Sequence, residues 1–86
     1  MNTADNELLR HVVLETLVTR HPAALPMPAL KRKAQPELGR EVKDEELESA
    51  LLVLSGKGLV KSHYDELGSS TWWQATGEGV LFHERR

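Results

Sequence analysis

The chain has 86 residues, 40% of them hydrophobic and 28% charged, and a formal net charge of −2. That length points to one small domain, and the composition is too apolar for a disordered chain. Absence of cysteine excludes disulfides, thiol catalysis and cysteine-based zinc sites and fits a reducing compartment, while a near-neutral charge means that any phosphate-binding surface must come from how the cations are distributed.

The N-terminal stretch MNTADNELLR has no basic region leading into an apolar run, so a signal peptide is not expected. A helix is expected over about residues 5–20, because Leu8, Leu9, Val12, Val13, Leu17 and Val18 recur at helical spacing. Thr3 or Asp5 can cap its start, and Arg20 and His21 suit its negative end, just before Pro22. Glu15, Arg20 and His21 interrupt the apolar stretches, so no membrane span is expected and the chain reads as cytoplasmic.

PAALPMP reads as an extended link or a very short strand, because closely spaced prolines exclude regular helix. Pro28 then suits the first turn of a second helix over about residues 28–35, packed through Leu30 and Ala34 and stopped near Pro36. After the linker QPELGREVK, Asp44 is the expected N-cap of a third helix running to about Lys57. At about 100° per residue, Leu47, Ala50, Leu51 and Leu54 form its inner face. Glu45, Ser49 and Leu52 point outward, with Glu48 and Val53 on the flanks, and Gly56 or Gly58 ends the helix.

Alternation in LVKSHY and TWWQA predicts a hairpin with strands at about residues 59–64 and 71–75. Val60, Ser62, Tyr64, Thr71, Trp73 and Ala75 share one face, and Trp73 and Tyr64 are expected in the core. Lys61, His63, Trp72 and Gln74 share the other face, and Gly68 supplies backbone freedom in the turn between the strands. GEGVLFHERR allows a last turn or short helix over about residues 77–84. Two short strands need support from helices, so the expected class is α+β with three helices and a two- or three-stranded antiparallel wing.

In this order the chain resembles the winged helix-turn-helix family, most of all regulators of the MarR and PadR type. LESALLVLSGKGLVK looks like the end of a recognition helix and a first wing strand. WWQATGEGVLF looks like a second wing strand followed by the family's Thr-x-x-Gly turn, here Thr76 to Gly79. The resemblance implies a DNA-associated or transcription-regulatory protein whose third helix enters the major groove and whose hairpin touches the neighbouring backbone or minor groove.

The groove-facing side that this implies carries Glu45, Glu48, Ser49 and Leu52, where Arg, Lys, Asn or Gln would be usual. Acids in the first turn complement the helix dipole, but carboxylates facing phosphates repel them, by about 1 kcal/mol at 4 Å in water. The candidate nucleic-acid contacts are therefore Lys31, Arg32, Lys33, Arg40, Lys43, Ser49, Lys57, Lys61 and His63, acting mainly on the backbone. The alternative is a protein-interaction module that does not bind DNA and uses Glu45, Glu48, Leu52, Val53 and Trp72. Partners are then double-stranded DNA, a protein or a second copy. His11 with Glu15, and His83 beside Glu84, lack a third ligand at metal-binding spacing, so no metal or cofactor is expected. GKG and GEG are too short for a phosphate loop, and no enzymatic activity is expected.

Overall fold

The computed structural model describes residues 3–85. Helix α1, Thr3–Arg20, packs against three other helices and a strand and so forms the spine of the molecule. It is followed by β1 (Leu25–Pro26), α2 (Met27–Leu38) and α3 (Asp44–Gly56), then β2 (Val60–Asp65), β3 (Ser70–Ala75) and α4 (Gly77–Glu84). The sheet is antiparallel with strand order β1-β3-β2. This is the expected α+β class, with four helices where three were anticipated.

The core is apolar throughout. It is built from Leu9, Val12, Val13, Leu14 and Leu17 of α1, Leu30 and Ala34 of α2, and Leu47, Ala50, Leu51 and Leu54 of α3, closed by Val60, Trp73 and Ala75 of the sheet. The inner stripe of α1 is wider than the spacing suggested. Leu14 is buried, because α1 is covered from several sides, while Leu8 is 45% exposed. Asp5 lies in the first turn of α1 and is not its N-cap. Thr3 is the first residue of α1, its side chain is not described, and Arg86 lies outside the described residues.

Helix α2 does not stop at Pro36. A proline late in a helix removes one backbone hydrogen bond, and here the helix continues to Leu38, which packs against the core. Gly39 then adopts the left-handed conformation (φ 68°), and its N–H donates to the Gln35 carbonyl at 2.9 Å. The Gln35 side chain accepts the Val42 N–H at 3.0 Å, which fixes the linker and places Val42 in the core.

At its other end α3 closes with a Schellman arrangement. Gly58 takes φ 75°, its N–H donates to the Ser55 carbonyl at 2.9 Å, and the Leu59 N–H donates to the Leu54 carbonyl at 3.0 Å. The chain thus leaves α3 directly into β2. In the hairpin Val60, Ser62 and Tyr64 face Ala75, Trp73 and Thr71. Only Val60, Trp73 and Ala75 of these reach the core, and Tyr64 is 64% exposed rather than buried. The strands run past the helical layer, so the tip has nothing to pack on. The left-handed residue of the turn is Ser69 (φ 51°), not Gly68.

Thr76 joins the sheet to α4. Its hydroxyl accepts the Gly79 N–H at 3.0 Å and donates to the Gly58 carbonyl at 2.7 Å, while its N–H donates to the Leu59 carbonyl at 3.0 Å. One residue thereby caps α4 and ties it to the end of α3. No helix is long and apolar enough to cross a membrane among the described residues.

Candidate functional site

Helices α2 and α3 with the linker between them form the helix-turn-helix, and β2 and β3 project beside it as a wing. Helix α3 begins at Asp44 with Lys43 as its N-cap, one residue earlier than expected. The cap is made by Glu46, whose carboxylate accepts the Lys43 backbone N–H at 3.2 Å. A lysine side chain carries no acceptor, so this is half of a capping box.

Glu46 is also gripped by Arg40. The guanidinium donates from Nη1 to Oε1 at 3.3 Å and from Nη2 to Oε2 at 3.0 Å, a two-pronged contact onto a side chain that is 13% exposed. Arg40 further donates to the Glu41 carbonyl at 2.9 Å. The Arg40 hydrogen bonds lower the Glu46 pKa below the ordinary glutamate value, the Lys43 backbone hydrogen bond adds to this, and burial opposes it. One turn of α2 makes a second bridge, with Lys31 Nζ donating to Asp44 Oδ1 at 3.0 Å, an exposed pair of small energetic weight. Two of the first-turn acids therefore anchor α3 to α2 and the linker.

This anchoring makes a testable prediction. Glu46→Ala should destabilise the fold by about 1–2 kcal/mol through loss of the cap and its charged partner, whereas Glu46→Gln, which keeps a cap acceptor, should cost less. Because the folded state holds the Glu46 proton more weakly than the unfolded chain, the ion-pair contribution is complete above the ordinary glutamate pKa. It is lost as pH falls through the lowered folded value. Urea unfolding of the wild type and Glu46→Gln across that window should show the two stabilities converging toward acid. A gap independent of pH would mean that the pair contributes nothing.

The candidate cations fall into separate groups. Lys31, Arg32 and Lys33 do not share a face: with Leu30 and Ala34 inward, Lys31 and Lys33 lie on opposite flanks and Arg32 points outward. Lys31 and Arg40 are engaged by Asp44 and Glu46. Lys33 lies toward α1, beside Glu15 and Arg20. Lys43 and Lys57 are exposed at the two ends of α3, and Lys61 is exposed on β2. His63 Nε2 meets Gln74 Oε1 at 2.7 Å, and the Gln74 amide donates onward to the Pro22 carbonyl, so His63 belongs to a network across the outer sheet face.

Glu45, Glu48 and Ser49 are exposed on α3, as are Leu52 (58%) and Val53 (40%). Trp72 stands apart from them. It is half-buried on the outer sheet face, flanked by Pro26 and His63, and its indole N–H donates to Ser70 Oγ at 3.1 Å. The three apolar residues Leu52, Val53 and Trp72 are thus divided between a helix and the far side of a sheet. An open groove of about 600 Å³ lies between α1 and α3, lined by Asp5, Arg10, Lys43, Glu45 and Val53 among others, with charges of both signs.

The Arg40–Glu46 clamp was missed from the sequence, although the spacing Lys43-x-x-Glu46 is a capping signal once Lys43 is taken as N-cap. The rings of His11 and His83 meet where α1 packs on α4, with centroids 6.0 Å apart. No group of three or more His, Cys, Asp or Glu side chains able to hold a metal ion occurs among the described residues.

No family model matches the sequence, and no curated protein is similar to it. Solved structures are similar in fold. A transcriptional regulator from Clostridium thermocellum, 18% identical, matches 99% of this chain and 82% of its own with a TM-score of 0.78. A MarR-family transcriptional regulator from Silicibacter pomeroyi, 24% identical, matches 91% of this chain with a TM-score of 0.74, and this chain spans 47% of that protein. A PadR-like transcription factor from Bacteroides fragilis, 18% identical, matches 93% of this chain and 77% of its own with a TM-score of 0.75. The chain has the winged helix-turn-helix fold.

Proposed function

We propose that this chain is a cytoplasmic, DNA-associated regulatory protein that holds duplex DNA mainly by its phosphate backbone. The observation that supports this reading is the fold itself: nearly the whole chain, wing included, follows the architecture of transcriptional regulators. The contacts are assigned to exposed cations of the helix-turn-helix and wing that form no salt bridge among the described residues. Arg32 on α2, Lys43 and Lys57 at the ends of α3, and Lys61 on the wing supply them. Lys31 and Arg40 contribute less, because Asp44 and Glu46 already offset their charge.

Fluorescence anisotropy with a short generic duplex tests the reading. The binding constant should fall steeply between about 50 and 200 mM salt, with a log–log slope of about −0.9 per phosphate neutralised. Arg32→Ala and Lys57→Ala should each flatten that slope by about one, and Lys31→Ala by less. No binding at low salt, or slopes indifferent to Arg32 and Lys57, would sink it.

A further inference from the structure

Arg40 stands between cations that the reading above assigns to phosphate. It lines one open hollow with Arg32, and it lines the groove between α1 and α3 with Lys43 and Arg10. Those three form no salt bridge among the described residues, whereas Arg40 is engaged. An arginine carries one positive charge and a planar fork of N–H donors. In Arg40, Nη1 donates to Glu46 Oε1 and to the Glu41 carbonyl, and Nη2 donates to Glu46 Oε2. The Glu46 carboxylate cancels the charge as well. This two-pronged geometry is also the one with which arginine grips a phosphate.

The two ion pairs of the helix-turn-helix differ in how readily they yield. Lys31–Asp44 is a single contact between side chains 33% and 77% exposed, and a lysine on its flexible stem leaves such a pair at small cost. Arg40–Glu46 is bidentate and better covered, and the same carboxylate accepts the Lys43 N–H at the start of α3. Moving Arg40 onto DNA would strip a largely covered carboxylate of its counter-charge, which costs more than opening an exposed pair. Asp5, Glu41 and Glu45 line the same hollows and form no salt bridge among the described residues, so their removal frees no arginine.

We propose that Glu46 competes with DNA phosphate for Arg40, an autoinhibitory contact that holds the affinity of the chain for duplex below what its cations would otherwise give. This rests on the DNA-binding reading above. Fold and DNA draw on one guanidinium, so stability and affinity move in opposite directions when Glu46 loses its charge. A purely structural Glu46 would lower both together or leave binding unchanged.

Anisotropy with the generic duplex tests this on the wild type, Glu46→Gln, Glu45→Gln and the double variant Arg40→Ala with Glu46→Gln. The Glu46→Gln amide keeps an acceptor for the Lys43 N–H and no charge to hold Arg40. It should bind roughly tenfold tighter at about 50 mM salt, with a salt slope steeper by about one, yet unfold at a lower urea concentration than the wild type. Glu45→Gln should gain less and keep the wild-type slope, and the double variant should return to wild-type affinity. Circular dichroism checks that each variant is folded at the assay temperature. A measurement on the wild type alone stands beside these: on adding duplex, the Arg32 Nε–H resonance should move and that of Arg40 should stay. If Glu46→Gln binds no tighter, if Glu45→Gln gains as much, if the double variant keeps the gain, or if the Arg40 resonance moves with that of Arg32, the inference is overturned while DNA binding stands. If no protein binds at low salt, the DNA-binding reading itself fails.

Discussion

Gly79→Ala should destabilise the protein by about 3 kcal/mol and lower its melting temperature by roughly 10–20 °C. Gly79 is buried in the first turn of α4, where its N–H caps onto Thr76. A Cβ there would lie 2.1 Å from the Leu59 carbonyl oxygen and 3.1 Å from its carbon. The obstacle is backbone, and it is held at both sides. The Leu59 carbonyl accepts the Thr76 N–H, and the Leu59 N–H closes the Schellman arrangement of α3. Room for a methyl group therefore requires α4 to lift or the α3–β2 junction to open. Alanine favours helix over glycine by about 0.8–1.0 kcal/mol, which offsets only part of the clash. Gly77, with nothing within 4 Å of its Cβ position, is the internal control, and Gly77→Ala should be neutral or slightly stabilising. Thermal unfolding by circular dichroism reads both, and a Gly79→Ala protein as stable as the wild type would mean that α4 is not seated on Leu59.

The Thr76–Gly79 turn shows how far sequence alone carries. Its spacing was readable as a motif, and the structure supplies the reason for each residue: a hydroxyl that both accepts and donates, and an α-carbon pressed against a carbonyl. The inner face of α3 was readable because its periodicity is regular and one-sided. Elements governed by tertiary contact were not. Pro36 suggests a helix end, and the core contact of Leu38 together with the left-handed Gly39 carries α2 two residues further. Tyr64 has the right parity for the core, but parity cannot say where the layer beneath a strand ends.

The candidate site was legible in its ingredients and not in its pairings. Lys31, Arg32 and Lys33 are contiguous in sequence, yet 100° steps turn them to three directions. Lys31 with Asp44 joins residues thirteen apart across two helices, and Arg40 with Glu46 joins a linker to a helix start. Such pairs depend on the angle between α2 and α3, which local spacing does not encode. Their consequence is that the acidity of α3 has two separate origins, one in the fold and one on its open surface.

Leu51 and Leu52 are adjacent leucines with opposite exposures, 0% and 58%, and they provide the second large expected effect. Leu51→Ala should cost about 2–5 kcal/mol, because it removes a branched side chain from the packed centre between α1 and α3 and leaves a cavity. Leu52→Ala should change stability by no more than about 0.5 kcal/mol, since little of its surface is buried. Urea denaturation of both variants measures the difference at nearly constant composition and helix propensity. If Leu52 contributes only to a surface, Leu52→Ala leaves the unfolding midpoint in place. If the two variants were equally destabilised, α3 would be rotated about its axis, and the inner face Leu47, Ala50, Leu51 and Leu54 would not be the one that packs on the core.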